Sequence, residues 1–371
     1  MKFQAKAKDF VAAVNTILAV HDFGDSADDR QPCCLTAAEG VLTLESAKMG
    51  AYIVKRIPGQ LLRTGSIGVN AKDLAAMKLK GNVTINASRN SITIADSRTK
   101  YNWAVDDNAQ SDVEDQKGTT AQIEVCAKIP TLVMKSGATF ATYKSEVKGD
   151  YDVQVTFKKD YFEYCGIDHL SYGRYEFKDK RVRVKRPMHF ILGNSLLAKV
   201  MKEVTGDVLT IGAAEDGSIV RISTEDMDLF HPTIDKKYLS TANLIKRATS
   251  GECVCRFEVE GKELKDALDR VAPVGKKAAD ARMELIVTAE GAVTIQQSTQ
   301  ANTARSKLQT KNAKAKEAMT IVVRAQYLKE FVKAAPASMP LTVESWDGKM
   351  LRITIQQDPG LIDYLAMMIA E

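Results

Sequence analysis

Phe3-Gln-Ala-Lys-Ala-Lys8-Asp-Phe10 reads as a strand that runs straight into a helix. Two later stretches read the same way: Ile123-Glu-Val-Cys-Ala-Lys128-Ile-Pro130 and Phe257-Glu-Val-Glu-Gly-Lys262-Glu-Leu264. The steps from Phe3 to Ile123 and from Ile123 to Phe257 are 120 and 134 residues, too long for a solenoid repeat and about the size of a domain. A second strand-helix unit follows each first one: Ile67 to Leu79, Phe190 to Met201 and Ile321 to Lys333. Its apolar residues recur at three- and four-residue spacing, one buried face of a helix. The spacing predicts two helices per segment and six in the chain.

Between the helices lie runs of two-residue alternation entered from a turn: Gly40-Val-Leu-Thr-Leu-Glu45, Asn90-Ser-Ile-Thr-Ile-Ala-Asp96, Gly217-Ser-Ile-Val-Arg-Ile-Ser223, Gly291-Ala-Val-Thr-Ile-Gln296 and Gly348-Lys-Met-Leu-Arg-Ile-Thr-Ile355. These predict antiparallel strands, so the class is α+β, with βαβββ twice per segment. Asp106 to Thr120 is almost wholly polar, and Ala242 to Gly251 leads into a new strand. Both predict linkers, dividing the chain into 1–120, 121–251 and 252–371. Thr310 to Glu317 reads as a basic solvated loop, and Lys178 to Arg186 as a basic strand with a solvated face.

The chain has 371 residues, 45% of them hydrophobic, a formal net charge of +5 and a pI near 8.7, a mild excess that permits contact with nucleic acid without demanding it. No apolar run reaches the ~18–20 residues needed to span a bilayer, and Met-Lys-Phe-Gln-Ala-Lys has no signal-peptide core; a soluble, cytoplasmic protein is expected. Six cysteines without a Cys-x-x-Cys pair and four scattered histidines encode neither a zinc site nor a disulfide framework. No metal or other cofactor is expected. Phosphate-loop, His-Glu-x-x-His and Gly-x-Ser-x-Gly motifs are absent, and Asp25, Asp28 and Asp29 fall in a polar loop with no base nearby. The expectation is a protein that is not an enzyme.

Three tandem segments of this length, the Met-Lys-Phe start and the apolar tail Tyr364-Leu-Ala-Met367-Met-Ile369 together resemble the bacterial DNA sliding clamp, the beta subunit of the replicative polymerase, in a divergent, phage-like form. The resemblance covers the whole chain, although no single motif is diagnostic. It implies three DNA-clamp domains per chain, each with two helices on antiparallel sheets, and a head-to-tail homodimer forming a ring whose helices line the central hole. It implies a processivity factor in a bacterial cytoplasm or phage-infected host, binding double-stranded DNA, with no membrane. DNA polymerase, clamp loader and other replication or repair proteins would bind through short apolar peptides.

On this reading the lysines opposite the apolar helix faces would meet DNA: Lys8, Lys72 and Lys78 in the first segment, Lys128, Lys135, Lys199 and Lys202 in the second, Lys262, Lys265, Arg270, Lys329 and Lys333 in the third. Flexible point charges attract a polyanion without reading its sequence; each one alone reads first as an ordinary solvated lysine, but all six helices carry at least one, and Lys8, Lys128 and Lys262 share a repeat position. The family's peptide groove, carried over by position, would use Ile167, Asp168, His169 and Leu170, Pro232, and Leu365, Met367 and Ile369. Methionine suits a site that accepts several partners. The family's loop usually reads Thr-Asp-Gly-His-Arg; here Asp168-His169 lacks the glycine and the arginine, so the partner peptide is expected to differ. The ring joint would place Tyr101 and Trp103 against Ala272, Pro273 and Val274 of the other copy, aromatic residues being enriched at interface centres. Two other classes stay open: a non-catalytic structural or regulatory repeat protein, and a nuclease with metal-binding carboxylates gathered from distant positions.

Overall fold

A computed structural model describes residues 1–22, 31–117, 123–140, 152–167, 171–237, 239–275, 282–299, 301–347 and 349–368. The first stretch runs β1 (Lys2–Lys6), α1 (Ala7–Leu18), β2 (Pro32–Ala38), β3 (Val41–Lys48), β4 (Ala51–Pro58), β5 (Gln60–Arg63), β6 (Gly65–Asn70), α2 (Ala71–Ala75), β7 (Asn82–Ala87), β8 (Ser91–Ala95) and β9 (Lys100–Ala104), followed by α3 (Ala109–Gln116). The same order returns as β10 (Glu124–Pro130), α4 (Thr131–Phe140), β11 (Asp152–Lys158), β12 (Tyr161–Ile167), β13 (Ser171–Lys178), β14 (Arg183–Val184), β15 (Met188–Gly193), α5 (Asn194–Glu203), β16 (Val208–Ala213), β17 (Ile219–Ser223) and β18 (Met227–Pro232), followed by α6 (Thr241–Ala248). It returns a third time as β19 (Cys253–Glu260), α7 (Gly261–Val271), β20 (Arg282–Val287), β21 (Val293–Ser298), β22 (Thr303–Leu308), β23 (Thr310–Ala315), β24 (Met319–Arg324), α8 (Ala325–Ala334), β25 (Pro340–Trp346), β26 (Met350–Gln357) and β27 (Gly360–Met367).

The strand-to-helix starts have a common geometry. Lys6, Gly193, Glu260 and Arg324 end their strands with extended backbone, and the next residue is already helical. Each helix buries one stripe, such as Phe10, Ala13, Val14 and Ile17 of α1, or Leu264, Ala267, Leu268 and Val271 of α7. The stripes join one continuous core with alternate residues of the strands beneath. That burial, at roughly 25 cal/mol per Å² of apolar surface, holds these helices, because several are too short to persist alone.

Among the described residues four sheets result, ordered β5-β1-β7-β8-β9, β14-β10-β16-β17-β18-β4-β3-β2-β6, β15-β11-β12-β13-β27-β26-β25-β19-β23 and β22-β21-β20-β24. The two nine-stranded sheets cross from one repeat to the next, β18 pairing with β4 and β27 with β13, both antiparallel.

Equivalent residues in the repeats follow from the ladders. Two residues before α1, α4 and α7 stand Ala5, Ile129 and Val259, which face Val83, Leu209 and Leu341. Two residues on, Ile85, Ile211 and Val343 face Ile94, Ile222 and Ile353, which face Tyr101, Leu229 and Tyr364. Starting four residues before α2, α5 and α8, the same walk from Ile67, Phe190 and Ile321 reaches Leu35, Val155 and Leu285, then Leu44, Tyr164 and Ile295, then Lys55, Tyr175 and Ser306.

Five elements differ from the sequence reading. The polar stretches expected as linkers contain α3 and α6. These cover the sheet faces opposite the other helices, burying Val113 against Cys34, Ala47, Tyr52 and Val54, and setting Leu244, Ile245 and Ala248 on Cys165, Tyr172 and Leu365. Helix α2 stops at Ala75, with Met77 buried just beyond it. Thr310–Ala315 is an edge strand paired with β19, not a loop. In the basic stretch Lys178 to Arg186, Lys178 ends β13 and Arg183–Val184 pairs with β10, and the rest is mostly turn.

Candidate nucleic-acid interface

Six helices form one layer: α2 packs on α1, α1 on α5, α5 on α4, α4 on α8 and α8 on α7. Their apolar stripes are spent on the sheets, so the opposite stripe is what this layer presents. Lys8, Lys72, Lys199, Lys202, Lys262, Lys265, Arg270 and Lys333 are exposed there.

Not every expected cation belongs with them. Lys128 lies on β10, three residues before α4, and faces Arg183 and Thr210 in the sheet. Matched from the helix starts, the residue of α4 equivalent to Lys8 and Lys262 is Leu132, 73% exposed. The shared lysine at repeat position 8, 128 and 262 is therefore a misalignment; Pro130 ends the strand later than the lysine spacing suggested. Lys78 lies past the end of α2, and its backbone N–H donates to the Tyr101 hydroxyl at 3.1 Å. Lys135 is half-buried, its ammonium donating to the Val204 carbonyl oxygen at 2.7 Å beside the end of α5. Lys329 is half-buried too, and burial lowers its pKa against the pull of Asp269.

The six helices carry ten Lys and Arg against seven Asp and Glu. On α7 the signs cancel: Lys265 pairs with Asp269 at 2.7 Å and Arg270 approaches Glu263 at 3.8 Å. Exposed pairs of this kind contribute at most ~1 kcal/mol and open readily toward a stronger anion. The layer is thus weakly basic, with nothing arranged to grip one phosphate or read a base edge.

The tail strand β27 supplies the second candidate surface. Leu365 is buried at 1% exposure beneath α6 and forms the wall rather than the rim. Met367 is 50% exposed and Leu239, at the entry to α6, 46%. Gln154 holds the Leu239 backbone on both sides, accepting from its N–H and donating to its carbonyl oxygen. Leu239, Leu244, Ile245, Tyr172 and Met350 are the apolar residues that sequence reading missed here; the apolar pair inside an otherwise polar stretch was the available signal. Pro232 is not among them. It ends β18 on the other nine-stranded sheet, next to Gly50, and the residue after it, Thr233, lines a cleft of about 670 Å³ with Asp216, Ser218, Asp235 and Lys236. That lining is too polar for an apolar peptide. Ile167 ends β12; Asp168, His169, Leu170 and Ile369 lie outside the described residues, as do Asp25, Asp28 and Asp29.

At the free edge of the five-stranded sheet, Tyr101 and Trp103 stack at 5.3 Å with parallel rings, both half-buried on their own sheet. Ala272, Pro273 and Val274 form the turn after α7, with Pro273 exposed. The nearest free strand edge there is β22, which lies over α7; its basic, broken pattern hid it.

Among the described residues no group of three His, Cys, Asp or Glu is placed to hold a metal ion. Burial pushes the Cys34 thiol up to about 12 and the Cys255 thiol to about 11, so both stay protonated and weakly nucleophilic at neutral pH. No helix among the described residues is long and apolar enough to cross a membrane.

No family model and no curated protein sequence matches the chain. Solved structures do. The Thermotoga maritima DNA polymerase III beta subunit superposes with a TM-score of 0.80 at 12% identity, covering 100% of this chain and 99% of that one. The Streptococcus pyogenes DNA polymerase beta subunit gives 0.78 at 12%, complete on both sides, and the Bacillus subtilis DNA polymerase sliding clamp 0.77 at 16%, with 100% and 99% covered. The chain has the sliding-clamp fold. Within the clamp fold the layer α2-α1-α5-α4-α8-α7 and the sheets that carry it extend through the whole chain, so the likeness rests on all three repeats together.

Proposed function

We propose that this protein is a DNA sliding clamp: a non-catalytic accessory of a replicative DNA polymerase, acting as a head-to-tail ring of two copies around duplex DNA. One observation carries the reading. The chain has a continuous helix layer and two sheets of nine strands, and its two remaining sheets have five and four strands, the number that a second copy needs to complete a third sheet of nine. A head-to-tail contact must close or it grows into a filament; two copies give six repeats, and the helix layers face a common hole.

In this ring three clamp domains, 1–120, 121–251 and 252–371, meet at the connectors that contain α3 and α6. Lys8, Lys72, Lys199, Lys202, Lys262, Lys265, Arg270 and Lys333 line the hole and hold DNA by counterion release without fixing register. Polymerase, clamp loader and other replication or repair proteins dock short apolar peptides beside Met367 and Leu239. The working compartment is the cytoplasm of a bacterium or a phage-infected host.

The test is retention. Loaded on nicked circular DNA, the protein should elute with the circle and leave it when one cut makes the circle linear. Elution unchanged by the cut excludes topological binding, and loss of intact DNA that stops with chelator identifies a nuclease instead.

A further inference from the structure

We infer that the seam between two copies pairs β9 of one with β22 of the other in a fixed register, and that this seam is like-charged where both junctions within the chain pair opposite charges. The inference rests on the ring reading and adds its register and electrostatics.

The register comes from the two internal junctions. At the first, Leu229 faces Ile53, the residue two before Lys55. At the second, Tyr364 faces Gly173, the residue two before Tyr175. Leu229 and Tyr364 are equivalent to Tyr101, and Lys55 and Tyr175 to Ser306, so the two junctions share one register. Applied to the free edges, it sets Tyr101 opposite Ala304, Lys100 opposite Arg305 and Asn102 opposite Thr303. The faces agree: Tyr101 and Ala304 both lie on the core side of their sheets, whereas Lys100, Asn102, Thr303 and Arg305 point away from it. A slip of one residue would put Tyr101 against Arg305 and exchange the faces.

The position of Lys100 is acidic in both internal junctions. Asp228 accepts from Arg56 at 2.8 Å and Arg221 at 2.7 Å, and Asp363, fully buried, faces Arg174 and is held by Arg352 through two contacts of 3.0 Å. One step outward, Asp226 faces Arg56 across the first junction with a backbone hydrogen bond of 2.8 Å; the seam has Arg98 against Lys307. Four exposed cations therefore line its outer face. Two carboxylates on these sheets are engaged elsewhere, Asp96 by the backbone of its own turn and Glu284 by Gln296. Like charges directly opposite in a ladder are destabilising, so this seam opens more easily than the junctions within the chain, and salt strengthens it by screening.

Dimer dissociation measured by sedimentation tests this. Between about 0.1 M and about 1 M NaCl, where the Debye length falls from ~10 to ~3 Å, the wild-type dimer should tighten. At the lower salt Lys100→Asp and Arg305→Glu should each tighten it several-fold and reverse the salt dependence, and the double variant, acidic on both sides, should return to the wild-type weakness. Single variants that leave the affinity unchanged or lower it overturn the charge assignment. For the register, oxidation should join Asn102→Cys to Thr303→Cys between copies much faster than Asn102→Cys to Arg305→Cys, and the opposite order overturns it. A protein that stays monomeric at every salt and concentration rejects the ring itself.

Discussion

Gly137 lies in α4 directly over the Tyr164 ring system of β12, where an added Cβ would stand 2.7 Å from the Tyr164 Cβ. Alanine is the better helix former by roughly 0.5–1 kcal/mol, yet here it would lift the helix from the sheet and disturb the 2.7 Å bond from the Tyr164 hydroxyl to Asn194 at the start of α5. Gly137→Ala should therefore destabilise by ~1–3 kcal/mol, the usual cost of overpacking; a urea midpoint at or above the wild type contradicts this contact. Asp363 makes the opposite kind of demand. It is fully buried and satisfied by Arg352, so Asp363→Ala leaves the half-buried Arg352 with only Glu344 at 3.7 Å and should cost ~1.5–3 kcal/mol, much of which Arg352→Met in the same chain should restore. Chemical denaturation of the single and double variants checks this, and additive losses would mean that the pair does not act as one.

The helices were legible in the sequence where apolar spacing and burial coincide, as in Phe10-Ala13-Val14-Ile17 and Leu264-Ala267-Leu268-Val271. They were illegible where a helix is held by few apolar residues: Val113 is the main one α3 buries, and periodicity has nothing to count in such a stretch. Edge strands β22 and β23 were obscured by lysines and arginines, which is how an edge avoids unwanted pairing. The lysine spacing slipped at Lys128, because a strand can end two or three residues later without altering its alternation. For the helix layer the consequence is testable. Lys8→Glu, Lys199→Glu and Lys262→Glu together should lower loading on DNA at least tenfold with the dimer intact, since about three phosphate contacts are lost. Leu132→Lys should raise loading modestly and steepen its salt dependence by about one unit. Electrophoretic retention across a salt series reads both; a triple variant that loads normally removes these helices from the interface.

At the scale of the whole molecule, two ladders join successive repeats, and β9 and β22 remain as free edges of the five- and four-stranded sheets. Tyr101 and Trp103 stack on the edge that a second copy would cover, so Trp103→Ala should shift sedimentation toward monomer while circular dichroism stays unchanged. A dimer of undiminished affinity excludes this edge from the joint. The ladders also explain how a fold survives at 12–16% identity to its solved counterparts. Backbone pairing and a two-residue alternation tolerate almost any apolar set of suitable volume, whereas the charges at the edges are free to diverge.

The interior position of β27 has a consequence for synthesis. Its partner β13, Ser171–Lys178, leaves the ribosome long before Gly360–Met367 exists, and α6, which covers both strands, has nothing complete to sit on until then. Throughout that interval β13 is an open edge flanked by apolar residues, the kind of edge that recruits foreign strands. Nascent chains are therefore vulnerable to aggregation between those two moments, and a pause or chaperone acting over that window should raise the yield of folded protein.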